Sequence, residues 1–340
     1  MKVPNLLPYI NASPWFSIRS ASNLAFVPAH KDPNEEQLEA LKQLLNNEKR
    51  PKVLVVTGAG ISTESGLQDY RSEGVGLYAR SNKRPTTHMN FIKSSQVRKS
   101  YWARSYVGWT NWALTQPNSA HKTLATWERC QHLYKPQLTQ VITQNVDQLH
   151  FKAGSANVIE LHGTLSVVKC QNCSFEILRH PFQNWLSELN PHLALKPREE
   201  LIRPDGDVEL SKDDVDRFQL PNCPKCQSDL LKPDVIFFGD NVPKLRVQKV
   251  RDLVSDCDIL LIIGSSLDVY SGYRIVLQAK EENKKVAILN IGPTRADKLA
   301  DIKVSGRAGL VLSKVIETNS NTRDNDNFKE NSTNSHLPHL

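Results

Sequence analysis

The chain has 340 residues, a hydrophobic fraction of 39% and a formal charge of +7. That length supports a core without disulfide staples, and apolar runs such as Ile259 to Ile263 are far short of the roughly 20 residues needed to span a bilayer. The chain has no run of five or more basic residues, which favours a solvated basic surface over a dedicated nucleic-acid patch.

From Met1 to Lys31 the chain carries no Asp or Glu, while Lys2, Arg19 and Lys31 alternate with Ser, Asn and apolar residues. This is the character of a mitochondrial targeting segment, although Pro4, Pro8 and Pro14 interrupt any helix there. The competing reading is a disordered arm. Asn34 to Asn47 follows as an amphipathic helix, with Leu38, Leu41, Leu44 and Leu45 on one face. Val53 to Val56 is a buried strand that stops at a glycine turn.

The same form recurs down the chain. Leu138 to Thr143 ends at Gln144-Asn145, and Val158 to Leu161 at His162-Gly163. Val235 to Phe238 ends at Gly239-Asp240, Ile259 to Ile263 at Gly264-Ser265-Ser266, and Val286 to Leu289 at Asn290-Ile291-Gly292. Helical patterns such as Lys244 to Val254 and Tyr273 to Glu282 lie between some of them. Near-continuous apolar strands alternating with helices predict an α/β fold, a doubly wound parallel sheet. In that fold the polar strand ends form a ligand crevice along one edge. Residues 72–113, rich in aromatic and basic side chains, and residues 169–232 interrupt the alternation and read as insertions that build a smaller domain. Residues 32–316 thus form the folded unit, and residues 317–340 read as a disordered polar tail.

Two motifs carry chemistry. Gly58-Ala59-Gly60-Ile61-Ser62 follows a strand, as a diphosphate-binding turn does. The third glycine of a dehydrogenase fingerprint would fall at Thr63, and Arg80 and Ser81 stand where its acid is expected. The turn therefore suits a dinucleotide but disfavours hydride transfer. The pairs Cys170/Cys173 and Cys223/Cys226 are two C-x-x-C knuckles, which together offer one tetrahedral all-thiolate zinc site with no open position. The alternative, a pair of redox dithiols, is disfavoured because neither pair opens a helix after a strand. Cys130 and Cys257 read as small buried hydrophobes.

Taken in order, the glycine turn, Asp69-Tyr70-Arg71-Ser72, Gln144-Asn145-Val146-Asp147, Leu161-His162-Gly163, the cysteine quartet, Phe237-Phe238-Gly239-Asp240, Gly264-Ser265-Ser266-Leu267 and Asn290-Ile291-Gly292 resemble the sirtuin family over residues 30–316. Tyr101-Trp102-Ala103-Arg104, Pro204-Asp205-Gly206-Asp207 and Tyr270-Ser271-Gly272-Tyr273-Arg274 are similar to its class II, mitochondrial sirtuin-4 subfamily.

The resemblance implies a Rossmann-like domain and a smaller zinc-ribbon and helical domain, with NAD and an acyl-lysine peptide entering the cleft between them. It implies NAD contacts from Gly58, Ala59, Gly60, Ile61, Ser62, Glu64 and Ser65, from Asp69, Tyr70, Arg71 and Tyr78, and from Gln144, Asn145, Val146 and Asp147. Gly264, Ser265, Ser266, Asn290, Ile291, Gly292 and Ala308 complete the expected cofactor set. Phe238, Gly239 and Val269 would bracket the peptide as an added strand. His162 would be the general base and Asn145 a second catalytic residue, whereas His150, on a helix after the cofactor turn, reads as packing. The products would be free lysine, nicotinamide and O-acyl-ADP-ribose.

Three departures from the family stand out: Gln68 replaces a proline, Tyr70 a phenylalanine, and Ala308 a subfamily cysteine. The implied activity is removal of longer or branched acyl groups, lipoyl included, from metabolic enzymes of the mitochondrial matrix. ADP-ribosylation of proteins is the alternative on the same scaffold. A zinc-stabilised nucleic-acid-binding module would leave the glycine turn and His162 unexplained, and a dehydrogenase is a third, equally disfavoured reading.

Overall fold

The computed structural model describes residues 24–47, 49–80, 85–193, 208 and 210–316. The tail, most of the expected targeting segment and the 204–207 motif lie outside the described residues. The strands are β1 (Lys52–Thr57), β2 (Gln137–Thr143), β3 (Val158–Glu160), β4 (Gly163–Cys170), β5 (Glu176–Leu178), β6 (Leu231–Val235), β7 (Ile259–Ile263), β8 (Lys285–Leu289) and β9 (Ile302–Val304). The helices are α1 (Glu35–Leu45), α2 (Leu77–Arg80), α3 (His88–Lys93), α4 (Ser95–Leu114), α5 (Ser119–Arg129), α6 (Leu149–Lys152), α7 (Arg179–Leu189), α8 (Lys212–Arg217), α9 (Lys244–Asp256), α10 (Tyr270–Glu281) and α11 (Ala308–Val315).

Six strands form one parallel sheet in the order β3-β2-β1-β7-β8-β9. The strand order runs outward in opposite directions from the β1/β7 pair, so the switch point lies where the glycine turn leaves β1. Strand periodicity sorts the two faces. Val53 and Val55 of β1 point toward α1, α5 and α11, where Leu41, Leu124, Trp127 and Leu312 close one core. Leu54 and Val56 point the other way, onto Val250 and Val254 of α9 and Ile275 and Val276 of α10. Helix α1 begins on a capping box: Asn34 Oδ1 accepts from the Gln37 amide at 2.8 Å, and the Gln37 side chain accepts from the Asn34 amide.

Three antiparallel strands form a second sheet, β5-β4-β6, backed by α4 and α7. Its core is aromatic, with Phe91, Tyr101, Trp102, Tyr106, Phe182 and Phe218 buried together. Arg179 is buried there with its guanidinium 4.5 Å from the Trp109 ring centroid.

One strand expectation needs correction. The apolar run Val235 to Phe238 is not a strand of the parallel sheet: β6 ends at Val235 and pairs antiparallel with β4. Residues 236–238 are the return path between the layers, tied by the Ile236 amide to the His162 carbonyl at 2.8 Å. An apolar run reports burial, and a strand at the seam between two layers is as buried as one inside a sheet.

Candidate active site

The cleft lies at the carboxyl ends of β1, β2, β7 and β8 and has a volume of about 1000 Å³. That is the upper end of the range for small-molecule sites, and it is lined from the glycine turn across to Phe238-Gly239 and Val269.

The glycine turn is shaped by close approach. A Cβ on Gly58 would lie 2.7 Å from Ser265 Cβ, and one on Gly60 would lie 2.9 Å from Gly264 Cα. The Gly58 and Gly60 amides donate to the carbonyls of Ile263 and Gly264 at 3.1 and 2.8 Å. These glycines therefore nest the β1 turn onto the end of β7 and bare the backbone to the cleft. The segment that follows, Ala59–Ser65, is a 3₁₀ helix, not the α-helix implied by a dinucleotide turn, and it ends at Gly66 with φ 84°. With i→i+3 bonds it is a tight connector.

A polar nest lies beside the turn. Ser62 Oγ donates to Asp147 Oδ2 at 2.6 Å. Asn145 Nδ2 lies 3.0 Å from the Gly58 carbonyl, 3.2 Å from Ser62 Oγ and 3.2 Å from Asp147 Oδ2. The other Asp147 oxygen accepts from the Leu149 amide at 3.0 Å. The β2 end that carries Asn145 is fixed by Thr143 Oγ1, which accepts from the Asn145 amide at 3.1 Å and from Thr57 Oγ1 at 2.9 Å. Gln144 Nε2 donates to Ser265 Oγ at 2.8 Å, bridging β2 to β7.

His162 sits between β3 and β4, half-buried, and lines the cleft. Its Nδ1 is 3.0 Å from the Gln144 carbonyl and its Nε2 2.7 Å from Ser271 Oγ. The surrounding protein strips water from the ring and pushes its pKa down to about 4; the Gln144 carbonyl opposes this and Arg246 adds to it. The imidazole is therefore neutral at pH 7, as a base must be.

His150 is buried, with Nε2 3.0 Å from Thr57 Oγ1 and its ring edge-on to His121 at 4.8 Å. It does not line the cleft, in keeping with a packing role.

The loop after the turn is folded on itself. The Leu77 and Tyr78 amides donate to the carbonyls of Asp69 and Tyr70 at 2.8 and 2.9 Å. Both Asp69 oxygens are engaged by the loop, one by the Arg71 and Ser72 amides and one by the Ser72 hydroxyl. Gln68, where the resemblance expects proline, donates from Nε2 to the Val75 carbonyl at 2.7 Å and so stitches the loop. Arg71 Nε pairs with Asp268 Oδ2 at 2.8 Å, an acid of the β7–α10 segment that sequence reading did not single out.

Most of the expected cofactor residues line this cleft, but Ile61, Glu64, Ser65, Tyr78 and Ala308 do not. Ile61 is core. Glu64 accepts from the Gly309 amide at 3.1 Å and shares a small adjoining cavity with Ala308. Tyr78 braces Tyr70, with ring centroids 5.8 Å apart. Ser65 Oγ is buried with no hydrogen-bond partner among the described residues. Sequence reading also missed the contact of Ser271 with His162, although it lies in a segment that carried the subfamily resemblance.

The four cysteine sulfurs lie within 4.8 Å of one another, away from the cleft. Cys170 and Cys226 are 3.6 Å apart at sulfur, as are Cys173 and Cys223. Disulfides would need about 2.05 Å, whereas a tetrahedron with Zn–S near 2.3 Å sets the sulfurs roughly 3.8 Å apart. The donor set thus fits a structural zinc. The knuckles are preformed: the Cys170 amide donates to the Phe175 carbonyl at 2.9 Å, and the Cys223 amide to the Ser228 carbonyl at 2.8 Å.

A glycine cradle at the switch point of a parallel sheet, a nest of amide and carboxylate groups beside it, and a neutral histidine facing both define a dinucleotide-using α/β enzyme. The comparisons narrow this class. The Sir2 family model matches residues 58–271. The NAD-dependent protein deacylase Sirt4 of Drosophila melanogaster is 50% identical over 318 residues, covering 93% of this chain and 97% of that protein. The NAD-dependent protein lipoamidase sirtuin-4, mitochondrial, of Homo sapiens is 46% identical over 304 residues, covering 89% and 94%. A solved Sir2–p53 peptide–NAD+ complex superposes with a TM-score of 0.63 at 26% identity, covering 82% of this chain and 96% of that one. The chain belongs to the Sir2 family.

Proposed function

We propose that this chain is an NAD-dependent protein-lysine deacylase of the mitochondrial matrix that acts on longer or branched acyl groups, lipoyl among them. The observation that carries the reading is the placement of His162: a neutral imidazole with Nε2 directed into the cleft that the glycine turn and the Asn145–Asp147–Ser62 nest also line. The deacylase and lipoamidase relatives support the activity, and the relative named mitochondrial supports the location.

NAD, when bound, would supply the sugar carbon at which the acyl oxygen could replace nicotinamide. The chain does the rest. Asn145 and Asp147 offer an amide and a carboxylate to the nicotinamide carboxamide, and Ser62 holds that carboxylate in place. Gln144, clamped to Ser265, would meet the adjoining ribose. His162 takes a proton at Nε2 from a ribose hydroxyl, because Nδ1 is committed to the Gln144 carbonyl. Gly239, with φ 83° and open space where a Cβ would stand, leaves its backbone free to pair with a substrate strand opposite Val269. Val146, Leu165 and Val235 form an apolar group behind this edge, suited to an aliphatic acyl chain.

The test is turnover of a panel of acyl-lysine peptides with NAD, read by mass spectrometry beside His162→Tyr. Nicotinamide and O-acyl-ADP-ribose should appear with the wild type, and the variant should lose about 10²–10⁴-fold in rate. Modification of the protein partner by ADP-ribose without peptide deacylation would overturn the reading in favour of the transferase.

A further inference from the structure

His162 is held at both ring nitrogens. The Gln144 carbonyl, 3.0 Å from Nδ1, can only accept, so Nδ1 carries the proton of the neutral ring. Nε2 is then an acceptor, and Ser271 Oγ, 2.7 Å away, donates to it. The ring's single free lone pair, the one a general base uses, is therefore occupied by a side chain of this protein.

The placement of Ser271 is built in. It lies in the first turn of α10, and the next residue, Gly272, packs against the Gln144 side chain, where a Cβ would lie 2.6 Å from Oε1. The first turn of α10 is thus docked on Gln144, the residue whose carbonyl orients the other edge of the imidazole. Ser271 is half-buried and lines the cleft, so an incoming hydroxyl can reach the same nitrogen.

We propose that Ser271 is a positioning residue for the base: its hydroxyl caps Nε2 of His162 in the free enzyme, holds that nitrogen aimed into the cleft, and yields it to the substrate hydroxyl. The inference rests on the deacylase reading for its catalytic meaning. The hydroxyl donates to the neutral ring and, turned round, can accept from the charged one, so it caps Nε2 in either state while burial is what pushes the ring toward its neutral form. The charged groups around the ring come from other elements. Arg246 of α9 donates to the Leu161 carbonyl at 3.3 Å and opposes protonation too. Glu160 of β3 is turned to Gln148, and Asp147 to Ser62 and Asn145. Arg274 lies one turn beyond Ser271 on α10 and lines the cleft. All four remain in a Ser271 variant, so a difference between variants isolates the hydroxyl.

The experiment is an NMR titration of the full, ligand-free chain labelled with ¹³C-histidine, with the His162 signal assigned by its absence in His162→Tyr. Ser271→Ala should lower the pKa of His162 by up to ~1, because the charged ring loses its acceptor at Nε2, and Ser271→Thr, which keeps a hydroxyl, should restore it. The acid limb of kcat/KM, which reports the free enzyme, should move with it, while KM for NAD changes less than about 2-fold. An unchanged His162 titration in a folded Ser271→Ala protein overturns the proposal. If that variant does not fold, Ser271→Cys, a weak donor, takes its place, with an intermediate shift expected and no shift overturning the idea. The NMR arm needs no turnover, so loss of the deacylase reading and loss of this proposal are separate outcomes.

Discussion

The two sheets of this molecule reach order by different routes. In the parallel sheet, β7 is buried along its whole length, and every residue from Val53 to Val56 is fully buried. Apolar area removed from water on both faces suffices to hold it. The antiparallel sheet has edge strand β5 of three residues, with Leu178 55% exposed. Beside its apolar core it relies on four thiols brought together from positions 170–173 and 223–226. A sheet with a three-residue edge strand and a long excursion between two knuckles gains most from one cross-link that closes a long loop. The layers should therefore fail in different ways.

The largest effect is expected at the metal. Cys170→Ser, or exhaustive chelation, should remove zinc and cost several kcal/mol in the antiparallel layer. Elemental analysis should show no zinc, and calorimetry should show a separate low-temperature transition while the parallel sheet melts as before. Full zinc content with one unchanged transition would count against a structural metal. In the parallel sheet, Leu261→Ala opens a cavity in a strand paired on both sides. It should cost about 2–5 kcal/mol, read as a lower denaturation midpoint with unaltered zinc content.

A smaller effect is set by pH. His121 and His150 are buried, and burial pushes both rings well below their ordinary value, with His121 also opposing charge on His150. Below about pH 6.5 the unfolded chain binds protons that the folded chain refuses, so stability falls as pH falls, by up to ~1.4 kcal/mol per pH unit for each ring, until the folded rings protonate. Urea midpoints between pH 7 and 5 should show the slope, and His121→Gln should reduce it. The smallest effect is at the amino-terminal cap, where Asn34→Ala removes the acceptor for the Gln37 amide and should cost about 1 kcal/mol.

Much of this was legible in the sequence because the parallel sheet writes itself in long apolar runs. Ile259 to Ile263 is a strand with the same bounds in the structure, and Leu138 to Thr143 differs by one residue. Short elements left no such mark: β9 spans three residues and α11 eight. The run Val235 to Phe238 was misplaced because burial does not say which layer does the burying. In the site, the placement of the glycines, cysteines and His162 was readable because each has a narrow set of uses. Ser271, Asp268 and Gln68 were not, since a serine, an aspartate or a glutamine acquires its role only from the atom that folding sets against it.

The chain leaves the large sheet at Glu160 and enters the small one at Gly163, so His162 stands on the crossing itself. Gly163 can make that crossing because a Cβ there would come within 1.9 Å of the Asp234 carbonyl oxygen, on the strand that returns beside it. The imidazole thus belongs to neither module. Fragments split anywhere between the layers would each retain part of a binding surface and no chemistry, and activity in such a reconstituted pair would report, turnover by turnover, how faithfully the seam had been remade.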